Sequence, residues 1–581
     1  MSKYVTHKEV TSSQSALLLQ KLFYDYIKEN KLLFIGLLIT TFLTFPVESI
    51  VLPRLYSKLF DKVRKISRLP AINIKNPLKS LKEWTPVGMI YTIFFIWIFL
   101  LLGYGIKQTL QAKMYPEYLS FLRQKILGET IKSHQENYQD VKIGKHISRL
   151  LDFTRESRNC VNYIMGNFLP IIIGSICIIL YFLKIDLTLG LAVGLGFGLI
   201  FLVLYFVGRT CVDLSCDREG LYLEMSEHIH DSLGNLMNVY LNNQEKKEIA
   251  KNSRIEKKHT KLYKAQILLT RNVVFTLSLI SLVTFISVLV LSYNKLRQKV
   301  ISTEVFSTLV IILMYFFGYL MNLSDEIPGF LVRLGILKQS VPFLYDILNQ
   351  QRHGTRKNVI KNGKVEFKKI SFKYPKSNTF LYRNIDITIN PGEHVAIMGS
   401  SGSGKTTLMK LLIRMYPITS GKILIDNTDV KTMDISYLRN QVIYVNQKTT
   451  LFNDSIINNI KYGNPKISDQ RIKAIIKKYD LQNVYQEIEG GIYGKAGVHG
   501  GNLSLGMQKM TILLRGVFKK GKIFVFDEPL AGLDASTREK FMRLLVDKFK
   551  NQTVIVITHD PEIIPHMDRT IDLSELKENT K

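Results

Sequence analysis

Six apolar runs fill most of the first 325 residues of this 581-residue chain, at roughly 32–52, 87–106, 164–183, 185–208, 273–293 and 305–323. Each is close to the ~20 residues an α-helix needs to cross a hydrocarbon core, and each is nearly free of charge. One such run alone predicts no more than a buried core helix. Six in succession predict a membrane domain of six spanning helices. They also account for a hydrophobic content of 46%, rich for a soluble enzyme.

The first thirty residues are polar at the start, contain Glu9 and lack a short apolar core with a small-residue cleavage site, so no cleavable signal is expected. Ala16, Leu19, Phe23 and Ile27 recur at helical spacing opposite Gln20, Lys21, Asp25 and Lys28. That pattern predicts a short amphipathic helix, either lying on the membrane surface or packed on protein. The formal charge of +30 is spread through the loops 53–86, 107–163 and 209–272 and comes with no nucleic-acid recognition motif. It favours 107–163 and 209–272 as cytosolic loops only mildly, because long loops blunt the positive-inside rule. Cys160, Cys177, Cys211 and Cys216 lack a CxxC pair or a histidine-rich partner and read as reduced packing residues.

After the last span the pattern stays helical through Leu331–Gln350, and a polar stretch, Gln351–Lys364, reads as a linker. From Val365 the chain turns to short strand-like runs and then to an α/β alternation. The expected organisation is a tail and amphipathic helix over 1–31, a membrane domain over 32–330, a connecting helix and linker over 331–364, and an α/β phosphate-loop domain over 365–581.

Within that last domain the apolar run His394–Met398 leads into "GSSGSGKTT", Gly399–Thr407, and then into a helical pattern. A glycine-rich turn between strand and helix lets the backbone N–H groups of Ser400, Ser401, Gly402, Ser403, Gly404 and Thr407 close around a polyphosphate at a helix N-terminus. Gly399, Gly402 and Gly404 supply the turn, Lys405 reaches the outer phosphates, and the Thr406 hydroxyl is suited to Mg²⁺. The chain is expected to bind ATP. About 120 residues later, "KIFVFDEP" ends a β-run in two acids. Asp527 is placed to hold the Mg²⁺ shell, and Glu528 to polarise an attacking water.

With these motifs in this order, the chain resembles an ABC transporter half-molecule of the exporter type. The resemblance implies a multi-pass α-helical membrane domain followed by one nucleotide-binding domain on the cytosolic (or matrix-equivalent) side. It implies that Tyr374 stacks on adenine, that Gln447 touches Mg²⁺ and water, that His559 contacts the γ-phosphate and holds Glu528, and that Asp534 lies at a dimer seam. The signature, usually LSGGQ, stands here as "LSLGM". Ser504 and Gly506 match the positions that clasp ATP on the opposite subunit, so a second half-transporter, identical or different, is implied. Leu505 and Met507 replace a glycine and a glutamine, Val498 stands where a glutamate is usual, and Leu530 and Ala531 replace small hydroxyl residues. A Cβ and bulky side chain at 505 are expected to obstruct either backbone conformations or a close approach that glycine allows.

The resemblance further implies contact helices near Glu136–Val141 and Asn242–Lys246 that carry motion from the nucleotide domain to the spans. The loop Asp231–Glu245 resembles that of exporters of glutathione-linked sulfur compounds, beside which lipid, peptide and multidrug export stay open. Ser278, Ser281, Thr284 and Ser287, with Asn322, either line a cavity or pack helices. Glu48, beside Pro46, is an intramembrane acid and so a functional candidate, or else an exposed residue near the outer end of its span. The basic 53–86 segment either attracts an anionic lipid or cargo or is a solvated face.

Overall fold

A computed structural model describes residues 12–65, 85–133, 143–348, 354–357, 359–374, 377–446 and 450–578. The chain divides into two compact units, one of residues Met1–Lys132 and Asp140–Asn349, the other of Ser133–Gln139 and Gln350–Lys581.

The first unit is helical. Helix α1 (Ser12–Glu29) precedes α2 (Lys31–Lys65), α3 (Pro86–Ser133), α4 (Ile147–Ile185) and α5 (Leu187–Gly234). A short α6 (Leu236–Leu241) then leads to α7 (Glu245–Arg297) and α8 (Thr303–Pro342). Apart from α1 and α6, all are long and apolar enough to cross a membrane. The expected six spans therefore stand, within longer helices. Asp186 separates α4 from α5 by taking an extended conformation and capping α5, its carboxylate accepting from the N–H groups of Thr188 and Leu189. Lys295 of α7 pairs with the same carboxylate at 2.7 Å, pinning that end of the bundle.

Helix α1 packs on protein. Leu18, Leu22 and Tyr26 are buried in a core with Met114, Tyr118 and Leu122 of α3 and Val341 of α8, and the Tyr26 hydroxyl donates to Met114 O at 3.2 Å. Of the stripe expected from spacing, Leu19 and Phe23 lie at the edge of this core. Of the small polar residues in α7, Ser281 and Thr284 are buried and donate to carbonyls one turn back. Thr284 lies so close to Gly196 of α5 that a Cβ there would collide with it, so these two pack helices. Ser287 and Asn322 are exposed. The short helix between α5 and α7 is α6, just ahead of the Asn242–Lys246 segment, which is a turn and the start of α7. Glu136–Val141 lies outside the described residues, as does most of the basic 53–86 segment. The four cysteines are unpaired.

The second unit is α/β. A four-stranded antiparallel sheet has the order β2-β1-β4-β5, with β1 Val365–Phe372, β2 Tyr382–Ile389, β4 Ser420–Ile425 and β5 Thr428–Asp429. A five-stranded parallel sheet has the order β6-β7-β8-β3-β9, with β3 His394–Met398, β6 Val442–Val445, β7 Ile523–Asp527, β8 Thr553–Ile557 and β9 Arg569–Asp572. Strands β7 and β8 are buried along their whole length, as expected for a parallel sheet covered on both faces. The β3–β8 register pairs Ile397 with Ile557, and the β7–β8 register pairs Asp527 with Ile557. Three strand ends therefore meet at the carboxyl edge of the sheet, where α/β sheets bind ligands.

Candidate functional site

The loop after β3 turns through Gly399 (φ 140°), Gly402 (φ 79°) and Gly404 (φ 99°) before α9 (Lys405–Leu412) begins. Gly404 allows no side chain, since a Cβ there would strike the Tyr382 hydroxyl, which itself donates to Gly404 O. The loop and the ends of β7 and β8 enclose a cavity of about 450 Å³ lined by Tyr374, Ser401, Gly402, Gly404, Lys405, Thr406, Thr407, Asp527, Glu528 and His559. Gly399, Ser400 and Ser403 complete the loop, and the Ser403 hydroxyl is buried in it without a hydrogen-bond partner.

Lys405 is 6% exposed. Its ammonium donates to Gly399 O at 2.7 Å and Ser400 O at 3.1 Å, and meets His559 Nε2 at 2.9 Å. Burial lowers its pKa, against the pull of Glu528, Asp527 and Asp572. The Thr406 hydroxyl donates to Asp527 at 3.0 and 3.2 Å, which brings together two hard oxygen groups of the kind Mg²⁺ takes. Glu528 sits in the left-handed region at φ 48°, an uncommon backbone for a residue with a side chain. Its N–H is fixed to Ile557 O at 2.9 Å, so the sheet holds the strained turn that aims it. Burial raises the Glu528 pKa above the ordinary carboxylate value, against His559, whose Nε2 lies 3.8 Å from Oε1.

Tyr374 places its hydroxyl 2.6 Å from Thr407 Oγ1, and its ring meets Phe372 and Tyr416 edge-on. Gln447 lies outside the described residues. Ser504, Gly506 and Asp534 do not line this cavity. Ser504 caps the helix Leu505–Val517 and Asp534 caps the helix Ala535–Lys548. Leu505 is the first residue of its helix, has no left-handed backbone and is 78% exposed. The expected backbone conflict at 505 is therefore absent, and its side chain stands in solvent beside Ser504.

Two neighbours of Asp527 escaped sequence reading. Tyr444 of β6 donates to Asp527 Oδ2 at 2.7 Å, and the one signal for it was a hydroxyl in the otherwise aliphatic "VIYV". Lys509, 7% exposed, points its ammonium at Asp527 O at 3.5 Å. Its signal was a charge on the inward face of a helix.

Residues 382–531 match the family model described as ABC transporter. The chain is 31% identical over 271 residues to the "Multidrug resistance-like ATP-binding protein MdlB" of Buchnera aphidicola subsp. Schizaphis graminum, covering 46% of this chain and 47% of that protein. It is 34% identical over 265 residues to the "Alpha-hemolysin translocation ATP-binding protein HlyB" of Escherichia coli, 44% of this chain and 38% of that one. It is 32% identical over 214 residues to the "ATP-dependent lipid A-core flippase" of Methylobacillus flagellatus, 37% of each. The chain thus spans less than half the length of these relatives. The solved structure of a bacterial Atm1-family ABC exporter with ATP bound superposes with a TM-score of 0.82 at 19% identity, covering 94% of both chains. The chain thus carries an ABC transporter domain over residues 382–531 behind six helices long and apolar enough to cross a membrane, and as a whole it has the fold of that exporter.

Proposed function

We propose that the chain is one half of a dimeric exporter that hydrolyses ATP to move a substrate across a membrane. The observation that carries this is the convergence of Lys405, Thr406, Asp527, Glu528 and His559 on one cavity, in a chain with six spanning helices. The loop amides and Lys405 bind and orient the phosphates. Thr406 and Asp527 would hold Mg²⁺, with Gln447 completing the set, and the ion would neutralise phosphate charge. Glu528 takes the proton of the attacking water, with His559 keeping its carboxylate in place. Tyr374 receives the adenine. Ser504 and Gly506 of one protomer face the ATP of its partner, with Asp534 at the seam between them. The nucleotide domain faces the cytosol, the compartment that supplies ATP. The organisation into 1–31, 32–330, 331–364 and 365–581 assigns these tasks to separate segments, and the surrounding lipid is the solvent of the second.

Glu528→Gln, purified in lipid, should keep ATP binding and lose nearly all turnover. Undiminished turnover would remove the reading. One observation favours a second reading, a weakly hydrolysing subunit that works only with a different partner. Val498 and Leu505 present exposed apolar side chains, at 65% and 78% exposure, where the family pattern has a glutamate and a glycine. Strong hydrolysis by the chain alone would exclude it.

A further inference from the structure

Lys107 of α3, one residue past the apolar run 87–106, lies level with Phe45 inside the apolar run 32–52 of α2 and is 7% exposed. Its ammonium has three hydrogens to place, yet it makes one long contact, 3.4 Å to Gly166 O, and otherwise lies 5.1 Å over the Phe45 ring. Glu48 of α2 accepts from the Tyr104 hydroxyl. It is near enough to act on the Lys107 charge without forming an ion pair with it. Two further groups in this region are unsatisfied: Gln111 Nε2, beside Gly166, and the Tyr319 hydroxyl, whose ring faces Phe45, are buried without hydrogen-bond partners. Both helices that carry an accepting group here open into a π turn, Val47–Val51 around Glu48 and Ile164–Phe168 around Gly166. Such turns recur at functional sites.

A buried base and a half-buried acid that do not pair within the bundle are costly, and apolar residues of similar size would stabilise it better. Stability does not explain them; a ligand does. A singly charged ligand gains little, because attraction to one of the two groups is offset by repulsion from the other. A molecule that carries both an ammonium and an acidic oxygen group satisfies both. We infer that Glu48, Lys107, Gln111 and Tyr319 form an intramembrane binding site for an amphipathic zwitterion, its ammonium at Glu48 and its carboxylate or phosphate at Lys107. Peptide termini and an aminophospholipid headgroup share this chemistry. The use of the site in transport rests on the export reading; binding does not.

The test is the thermal unfolding midpoint of the full chain in neutral maltoside detergent, titrated with two series of probes. The first is trileucine, N-acetyl-trileucine, trileucine amide and the doubly blocked peptide. The second is short-chain phosphatidylethanolamine and phosphatidylglycerol. Trileucine should act at a roughly tenfold lower concentration than any blocked form, the effect of one charge-assisted contact. If instead only the ethanolamine lipid outperforms its glycerol counterpart, the site takes the headgroup. Glu48→Gln should erase the preference for a free ammonium and Lys107→Gln that for a free carboxylate, with Lys107→Arg restoring the latter. Equal or better action of singly charged probes in both series, or an unchanged preference in the glutamine variants, would overturn the site. Loss of turnover in Glu528→Gln reports on the export reading separately.

Discussion

The Lys405 ammonium stands 2.9 Å from Nε2 of His559, so the two residues proposed to contact the phosphates hold each other in the wall of the cavity. Lys405→Ala should weaken ATP binding by roughly tenfold or more, since a charge-assisted phosphate contact is worth about 1.5–3 kcal/mol. Equilibrium binding of a fluorescent ATP analogue checks it.

Burial raises the Glu528 pKa, opposed by His559. The protonated form of the base therefore persists to higher pH than in an exposed glutamate. Turnover should fall on the acid side at a correspondingly higher pH, and His559→Gln should move that limb higher still. For stability the sign is opposite to the usual carboxylate: the contribution of Glu528 is present below its unfolded pKa and lost as pH rises through the folded one. A pH profile of kcat at saturating ATP measures the first effect.

Tyr444→Phe removes the hydroxyl that donates to Asp527. The expected loss is about 1 kcal/mol of positioning, seen as a several-fold higher Mg²⁺ requirement with ATP affinity little changed. Turnover titrated with Mg²⁺ decides it.

Asp426 accepts from the N–H groups of Lys361, Asn362, Gly363 and Lys364 at 2.6–3.1 Å. Burial pushes its carboxyl up, but these donors outweigh burial and hold it below the ordinary value. This contribution is present above the unfolded pKa and lost as pH falls through the folded one. Asp426→Asn should therefore destabilise the nucleotide domain by about 1–3 kcal/mol at neutral pH and much less in strong acid. Denaturant midpoints at the two pH values provide the comparison.

Leu505→Gly should raise turnover, through removal of an exposed side chain beside Ser504. Leu505→Ala should give most of the same gain, because the backbone at 505 is already helical. A gain confined to glycine would instead reveal a backbone effect.

The six spans and the phosphate loop were legible because each is dictated by one local rule, about twenty apolar residues or glycines at fixed intervals before a lysine. The buried stripe of α1 was not, since Leu18, Leu22 and Tyr26 and the stripe of Ala16, Leu19, Phe23 and Ile27 satisfy the same period, and tertiary contacts alone choose between them. The serine row of α7 was equally ambiguous until Gly196 was found against Thr284. Tyr444 and Lys509 reach Asp527 only through strand and helix packing, which spacing along the chain does not encode. The departure from the motif at Leu505 suggested backbone strain, whereas the first turn of a helix accepts leucine readily.

The registry of β7 against β8 and of β8 against β3 sets where the acids stand relative to the phosphate loop. A slip of one residue would displace Asp527 by about 3.3 Å and turn its side chain to the other face. The accuracy of the chemistry is thus inherited from Val525, Phe526, Ile555 and Ile557, side chains of the sheet interior. On the proposed hydrolysis, a volume change in that apolar interior should lower turnover while every polar residue of the site is retained.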